Sequence, residues 1–460
     1  MRPLKERPMV PTLIFIALVV AVVGSLGAPL ITSVASQFGV SLAVAQWTLT
    51  APLLAGAIAT PLLGRLGTGA HRRQTILATL AVVAAGSLLT AVPPSFGWLL
   101  AGRVAQGAGL GLTALMMGVA RDHLPAAHSP STIAHLSVVS TIGVGIGYPL
   151  SGLLVDLAGL RAAYGLGLLI SVPALLAAWL WIPQAPERRS ASVDLQGATL
   201  LGAGLLALLL AISQTALWID HPMFAGAILV AAVILIGLWA RHETRSAAPL
   251  VDVALLRHPA VAGANAVMLL GGIGMYLLLT LVTRYVQTPV AAGHGFGVSV
   301  FVAGLVLVPF SALGFVGGTL VPPLRARLVA ATILALGGAA VLAALVLFAV
   351  ARVQLWLAFA VMGLLGLGVG IFSAAMPVAI LAVTPREETS SAMSFNQVIR
   401  SVGFSIGSAL GGLTLAAYTP AGSKFPTDSG YTTASWLGAA AMGIAVIASF
   451  SLRRASHLAQ

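Results

Sequence analysis

Arg103, Gln106 and Arg400 are polar residues set inside long apolar runs, and none has an acid within its own run. A guanidinium in hydrocarbon is costly, so it must face a cavity or a partner. Arg103 and Gln106 stand three residues apart, on one face of a helix. Asn396 and Gln397 precede Arg400 by about one turn. Such groups suit an anionic or neutral amphipath, because a cavity without carboxylates cannot hold a hydrophobic cation by charge pairing. Arg400 can equally be read as a side chain stretching to the nearer water surface. All 11 acidic residues fall in loops or at helix ends. A proton carrier must titrate within reach of both sides in turn, and two residues qualify by type. Asp122, beside Arg121 at the end of one apolar run, is either that carrier or half of a surface pair. His135 lies one turn into the next run, and imidazole titrates near about 6.5; its plain reading is a packed polar residue. Gln46, Trp47, Thr50, Met117, Tyr148, Asn265 and Tyr276 could line a path through the same helices.

The elements that position these groups follow from composition. Hydrophobic residues make up 59% of the 460 positions and charged residues 7%, too little charge to cover a soluble surface. Inside a bilayer only helix bundles and closed barrels satisfy the backbone. The apolar runs last about 20 residues, the length of a spanning helix, where barrel strands would alternate over about 10. The windows are 10–35, 44–64, 74–94, 97–120, 131–155, 162–183, 195–218, 223–240, 260–284, 298–321, 329–350, 355–382, 392–417 and 433–452. With both termini in the cytoplasm, most of the 23 basic residues fall in inside segments, from Arg2, Lys5 and Arg7 to Arg453 and Arg454. That asymmetry is the orientation signal of a multi-pass protein. It explains the net charge of +12 without nucleic acid. The first run is too long for a cleaved leader and reads as a retained helix.

Three matches at nearly constant spacing point to an internal repeat. Phe38-Gly39-Val40-Ser41 recurs as Phe296-Gly297-Val298-Ser299, Gly109-Leu110-Gly111 as Gly368-Val369-Gly370, and 142–147 as 402–407. Parallel repeats of six helices are a common transporter plan, in which two halves rock around a midplane site. The expected organisation is a bundle over 1–183, a two-helix insertion with connectors over 184–259, and a second bundle over 260–460. Gly143, Gly145, Gly147 and Gly152 crowd one helix with Pro149, which permits close backbone approach and invites a kink. Gly64 to Arg73 form a tight basic turn whose plain reading is a topology anchor.

These stretches resemble the signatures of the major facilitator superfamily. Gly143–Gly152 is similar to its fifth-helix antiporter motif, Arg103 and Gln106 to its fourth-helix pattern, and Gly64, Arg72 and Arg73 to its loop motif. The inserted pair, opened by Asp194-Leu195-Gln196-Gly197 and followed by Pro249-Leu250-Val251-Asp252, resembles the fourteen-helix drug:proton antiporter branch. The resemblance implies that Arg103 serves proton coupling or substrate binding. It implies that Gly147 and Pro149 shape the helix that seals an outer gate, and that Arg72 and Arg73 lock an inner one. Two departures bear on coupling: Thr68 stands where the loop motif carries an aspartate, and the first-helix stretch 24–29 has no acid.

The reading is an all-α membrane protein of the major facilitator type, an active proton-driven exporter of a small amphipathic compound. It is expected as a monomer in a bacterial cell membrane, with small molecule, protons and lipid as its partners. An uncoupled facilitator or importer is the alternative, and a non-transporting receptor or scaffold the second, disfavoured because no loop is long enough for a signalling domain. No cofactor or metal is expected: there is no cysteine, and Lys5 and Lys424 are the only lysines, so no phosphate-loop lysine exists. No nucleophile, base and acid cluster at membrane depth, which argues against an enzyme.

Overall fold

The computed structural model describes residues 9–27, 30–40, 42–45, 47–67, 71–184, 194–246, 249–420, 423 and 425–457. Among them every regular element is helical. The first seven principal helices are α1 (Met9–Ser25), α2 (Ile31–Phe38), α3 (Trp47–Leu66), α4 (Arg72–Ala91), α5 (Phe96–Gly107), α6 (Leu112–His123) and α7 (Ser129–Trp181). The inserted pair is α8 (Leu195–Ser213) and α9 (Pro222–Glu243). They are followed by α10 (Pro259–Gln287), α11 (Val308–Arg325), α12 (Ala330–Val350), α13 (Leu355–Leu381), α14 (Thr389–Ala417) and α15 (Asp428–His457).

These helices keep the order of the predicted windows. Eleven stretches among the described residues are long and apolar enough to cross a membrane, and α1 and 196–212 are shorter apolar helices. α7 breaks at Gly159, where φ is +77°, between the fifth and sixth predicted spans; glycine alone adopts that backbone without strain. Several predicted spans are less regular than expected, among them the tenth, which is a short helix Val300–Val306 followed by α11. The first ends as a helix at Ser25, and a helix begins again at Ile31; the sequence between holds Gly27 and Pro29, both poor helix formers. The fourth is α5 and α6 joined by a 3-10 turn, Ala108–Gly111.

The chain packs as two units. The first comprises Met1–Leu206, Ile234–Ala254 and Thr384–Val398; the second comprises Ala207–Val233, Leu255–Val383 and Ile399–Gln460. In the first, α1 lies along α7, α4 packs against α5 and α7, and α3 against α5. Asp194 caps α8, its Oδ1 accepting the Gly197 N–H at 2.9 Å while Oδ2 meets His242 Nε2 at 2.6 Å. The neighbouring Glu243 accepts the Val251 N–H at 2.7 Å. The start of α8 is thereby tied to the end of α9, and α9 to the connector that the sequence singled out at 249–252.

In the second unit α13 packs against α11 and α12, and α15 against α10 and α12. Glycines set the closeness: a Cβ on Gly366 would overlap the Phe310 carbonyl, and one on Gly370 the Gly314 carbonyl. Without a hydrophobic force between helices in lipid, such contacts supply the packing. Arg352 joins α12 to α15, pairing with the Asp428 carboxylate at 2.9 and 2.6 Å under the rings of Tyr285 and Phe348. Leu157, Leu169, Trp179, Met223 and Ile447 are all exposed, an arrangement that suits hydrocarbon as solvent.

Candidate functional site

Arg103 on α5 is fully buried, and none of the groups that accept from it is charged. Nε donates to the Thr48 carbonyl at 2.8 Å, Nη1 to the Val23 carbonyl at 3.0 Å and to Gln106 Oε1 at 2.7 Å, and Nη2 to the Gly24 carbonyl at 3.3 Å. The Tyr164 ring of α7 lies 5.9 Å from its Cζ. Gln106 extends the network, donating to Ser87 Oγ and Thr90 Oγ1 at 3.1 Å each. The cause is local. Ending α1 at Ser25 frees its last carbonyls, and a cation at a helix C-terminus both caps them and meets the favourable end of the dipole.

Next to this clamp, α1 and α7 touch backbone to backbone. A Cβ on Gly143 would overlap Ala21, and one on Gly147 would overlap Ser25 Oγ. Ser25 Oγ lies 2.8 Å from the Val22 carbonyl and 3.2 Å from that of Gly143. Pro149 is half-buried further along, and the Cβ position of Gly152 is open.

A second network occupies the opposite ends of the same helices. Arg72 is buried, pairs with Asp122 through Nη1, and donates from Nε to the Gly67 carbonyl. The structure thus corrects the surface-pair reading of Asp122, whose partner is Arg72 and not the adjacent Arg121. Arg121 reaches instead to Thr389 Oγ1 at 2.7 Å and to the Thr384 carbonyl at 2.9 Å. Arg65 meets Glu388 at 3.3 Å, and a Cβ on Gly64 would overlap Ser394 Oγ. The segment 384–398 is therefore held by the ends of α3 and α6. Arg73 caps α7, donating to the carbonyls of Ile182 at 2.9 Å and Trp179 at 2.7 Å. Thr68 and Gln46 lie outside the described residues.

Two tests arise here. Asp122→Asn keeps the shape but turns an ion pair into a hydrogen bond from the Arg72 cation to a neutral amide. A fall of about 1.5–3 kcal/mol in stability is expected, read as a lower Tm in detergent; an unchanged Tm would mean that the pair is not held as seen. The second concerns pH. Burial pushes the Glu388 carboxyl above its ordinary range; Arg65 pulls it down, while Asp252 and Glu387 add to the rise. The packed form therefore binds this proton more tightly than a form in which Glu388 meets water. Its packing is most favourable below the ordinary carboxylate value and weakens as pH rises through the raised one. Hydrogen exchange of 384–398, corrected for intrinsic rates, should speed up as pH rises from the ordinary carboxylate value through the raised one. Glu388→Gln should flatten that dependence, and an equal slope in the variant would assign it to another group.

The remaining sequence candidates are spread over both units. In the first, Met117 is buried in α6, Asn396 is buried in α14, and Trp47, Thr50, His135, Tyr148 and Gln397 are half-buried. In the second, Asn265 is buried in α10, and Tyr276 stacks on Phe404 with ring centroids 5.0 Å apart. Arg400 lies over the same Phe404 ring, 5.6 Å from Cζ to centroid. Ser25, Arg65, Glu388 and Phe404 were not picked out from the sequence. Only Phe404 carried a signal, four residues beyond Arg400 on one helical face.

A bundle of apolar helices with small-residue seams and guanidinium networks sealed at depth is the build of a polytopic membrane transporter. The chain belongs to the Major Facilitator Superfamily, whose profile matches residues 13–324. It is 25% identical over 421 residues to "Uncharacterized MFS-type transporter YvkA" of Bacillus subtilis, covering 90% of this chain and 92% of that one. It is 27% identical to "Multidrug resistance protein B homolog" of Mycobacterium tuberculosis, covering 82% and 70%. To "Tetracenomycin C resistance and export protein" of Streptomyces glaucescens it is 26% identical, covering 92% and 78%. The crystal structure of the human organic anion transporter MFSD10 (TETRAN) shares the fold, with a TM-score of 0.67, 14% identity, and coverage of 97% and 100%.

Proposed function

We propose that the protein exports a small amphipathic organic compound by alternating access, coupled to proton entry. The observation that carries this reading is the α1–α7 seam. There the glycines of the antiporter-like stretch meet α1 without room for a side chain, as a gate that seals by backbone contact requires. The named relatives support the direction, since one is called a resistance and export protein and another a multidrug resistance protein. The halves 1–183 and 260–460 would rock about a central site, with 184–259 as an insertion and both termini in the cytoplasm. A monomer suffices.

His135, half-buried on α7, and Asp122, held by Arg72, are the groups proposed to carry the proton. The absence of any acid inside a predicted span favours the second reading, an uncoupled facilitator. Transport by purified protein in liposomes separates them. Movement against the substrate gradient that collapses with a protonophore supports the antiporter; movement only down that gradient, without proton flux, supports the facilitator.

A further inference from the structure

We propose that Arg400, Phe404 and Tyr276 form a binding platform for an organic anion with a flat aromatic body, so that the compound moved is acidic. The proposal rests on the exporter reading and names its substrate class. Arg400 lies about 16 Å along α14 from its first residue, at 1.5 Å per residue, in a helix of 29 residues. It stands eight residues inside the predicted apolar run 392–417. The side chain is half-buried. Among the described residues its one partner is the Phe404 ring, 5.6 Å from Cζ, and no carboxylate or carbonyl accepts from it. Its nitrogens are also not sealed in, unlike the orphaned polar atoms of Tyr164, Trp239 and His294.

The contrast with Arg103 decides the roles. Arg103 has its donors taken up by carbonyls and by Gln106, with no exposure left for a ligand. Among the described residues nothing takes up the donors of Arg400 or compensates its charge. The acids of its own unit are Asp220 and Asp428; both stand at helix ends, and Asp428 is occupied by Arg352. A guanidinium in a low-dielectric setting needs a counter-charge, and here a ligand can bring it. Carboxylate and sulfonate match the donor fork bidentately. Beneath the guanidinium, Phe404 and Tyr276 stack with planes 24° apart, offering an aromatic face to the ring system that carries the acid. A cationic amphipath would meet repulsion instead.

The test uses the full-length protein and three probes of one shape: 2-naphthalenesulfonate, its neutral sulfonamide, and 2-naphthylmethylammonium. Equilibrium binding is expected to favour the sulfonate over the sulfonamide by about tenfold or more, the worth of one charge-assisted hydrogen bond. Arg400→Gln should erase that preference and Arg400→Lys should keep part of it. Phe404→Leu, which leaves the charge in place, should weaken sulfonate and sulfonamide alike. A sulfonate preference that survives Arg400→Gln, or a preference for the ammonium, would overturn the proposal. Transport of the same probes in liposomes keeps the two readings apart. Uptake of the neutral or cationic probe, indifferent to Arg400→Gln, would leave the exporter and remove the anion site. Arg400-dependent sulfonate binding with no transport of any probe would leave the site and remove the exporter.

Discussion

Gly147→Leu is expected to abolish transport while the chain still inserts into the membrane. Position 147 faces Ser25 so closely that even a Cβ would overlap its Oγ, with Ser25 Cβ at 3.2 Å and the Val22 carbonyl at 3.3 Å beyond it. Alanine could be accepted if the hydroxyl turned away, giving up its contact with the Gly143 carbonyl. A leucine has no such exit, because the next obstacles, Ser25 Cβ and the Val22 carbonyl, cannot rotate away, and α1 would have to move bodily. Overpacking of this kind typically costs about 1–3 kcal/mol or more, and in a gate that closes on contact it also holds the seam open. Gly152→Leu is the matched control, since nothing stands within 4 Å of its Cβ position; it should transport nearly as the parent does. Ser25→Gly should rescue Gly147→Ala. Transport in liposomes and Tm in detergent give the readout, and full activity of Gly147→Leu would show that the seam does not close in the working cycle.

The second large effect is expected at Arg103. Arg103→Ala removes the donors that satisfy the carbonyls of Val23, Gly24 and Thr48 and the Oε1 of Gln106. Each buried acceptor left without a donor costs about 1–3 kcal/mol, and the break after α1 loses its cap. Loss of transport together with a clearly lowered Tm is the expected outcome. Arg103→Lys keeps the charge and offers three donors without the planar fork, so it should recover stability in part. If Arg103→Ala lost transport with an unchanged Tm, the residue would act on the substrate or the proton and not as the clamp described above. Unchanged transport would remove both roles.

Much of the architecture was legible from residue order because it depends on local properties. The length and apolarity of a run decide whether a helix can span hydrocarbon, and an unsatisfied backbone in lipid permits little else. The positions of the turns followed, including the one at Gly159 inside what is otherwise continuous helix. The pairing of Arg103 with Gln106 was legible for the same reason, since three residues make one helical face.

What tertiary structure decided was the identity of partners. Arg103 is held mostly by backbone carbonyls, and since every residue carries one, no side-chain pattern announces them. Asp122 was placed beside Arg121 by sequence adjacency, yet successive residues on a helix point apart; only the packing of α4 against its neighbours brings Arg72 to it. Ser25 had no visible role until α1 lay along α7 and met Gly147. The glycines foretold a close approach but not the helix approached, because a missing side chain specifies a distance and leaves the partner open. By itself the sequence determined a helical membrane protein and the order of its helices, since those follow from the solvent each segment tolerates. Which buried charge is satisfied by the protein and which remains open, Arg103 or Arg400, was decided by three-dimensional packing, because burial and hydrogen bonding are properties of neighbours that the chain order does not list.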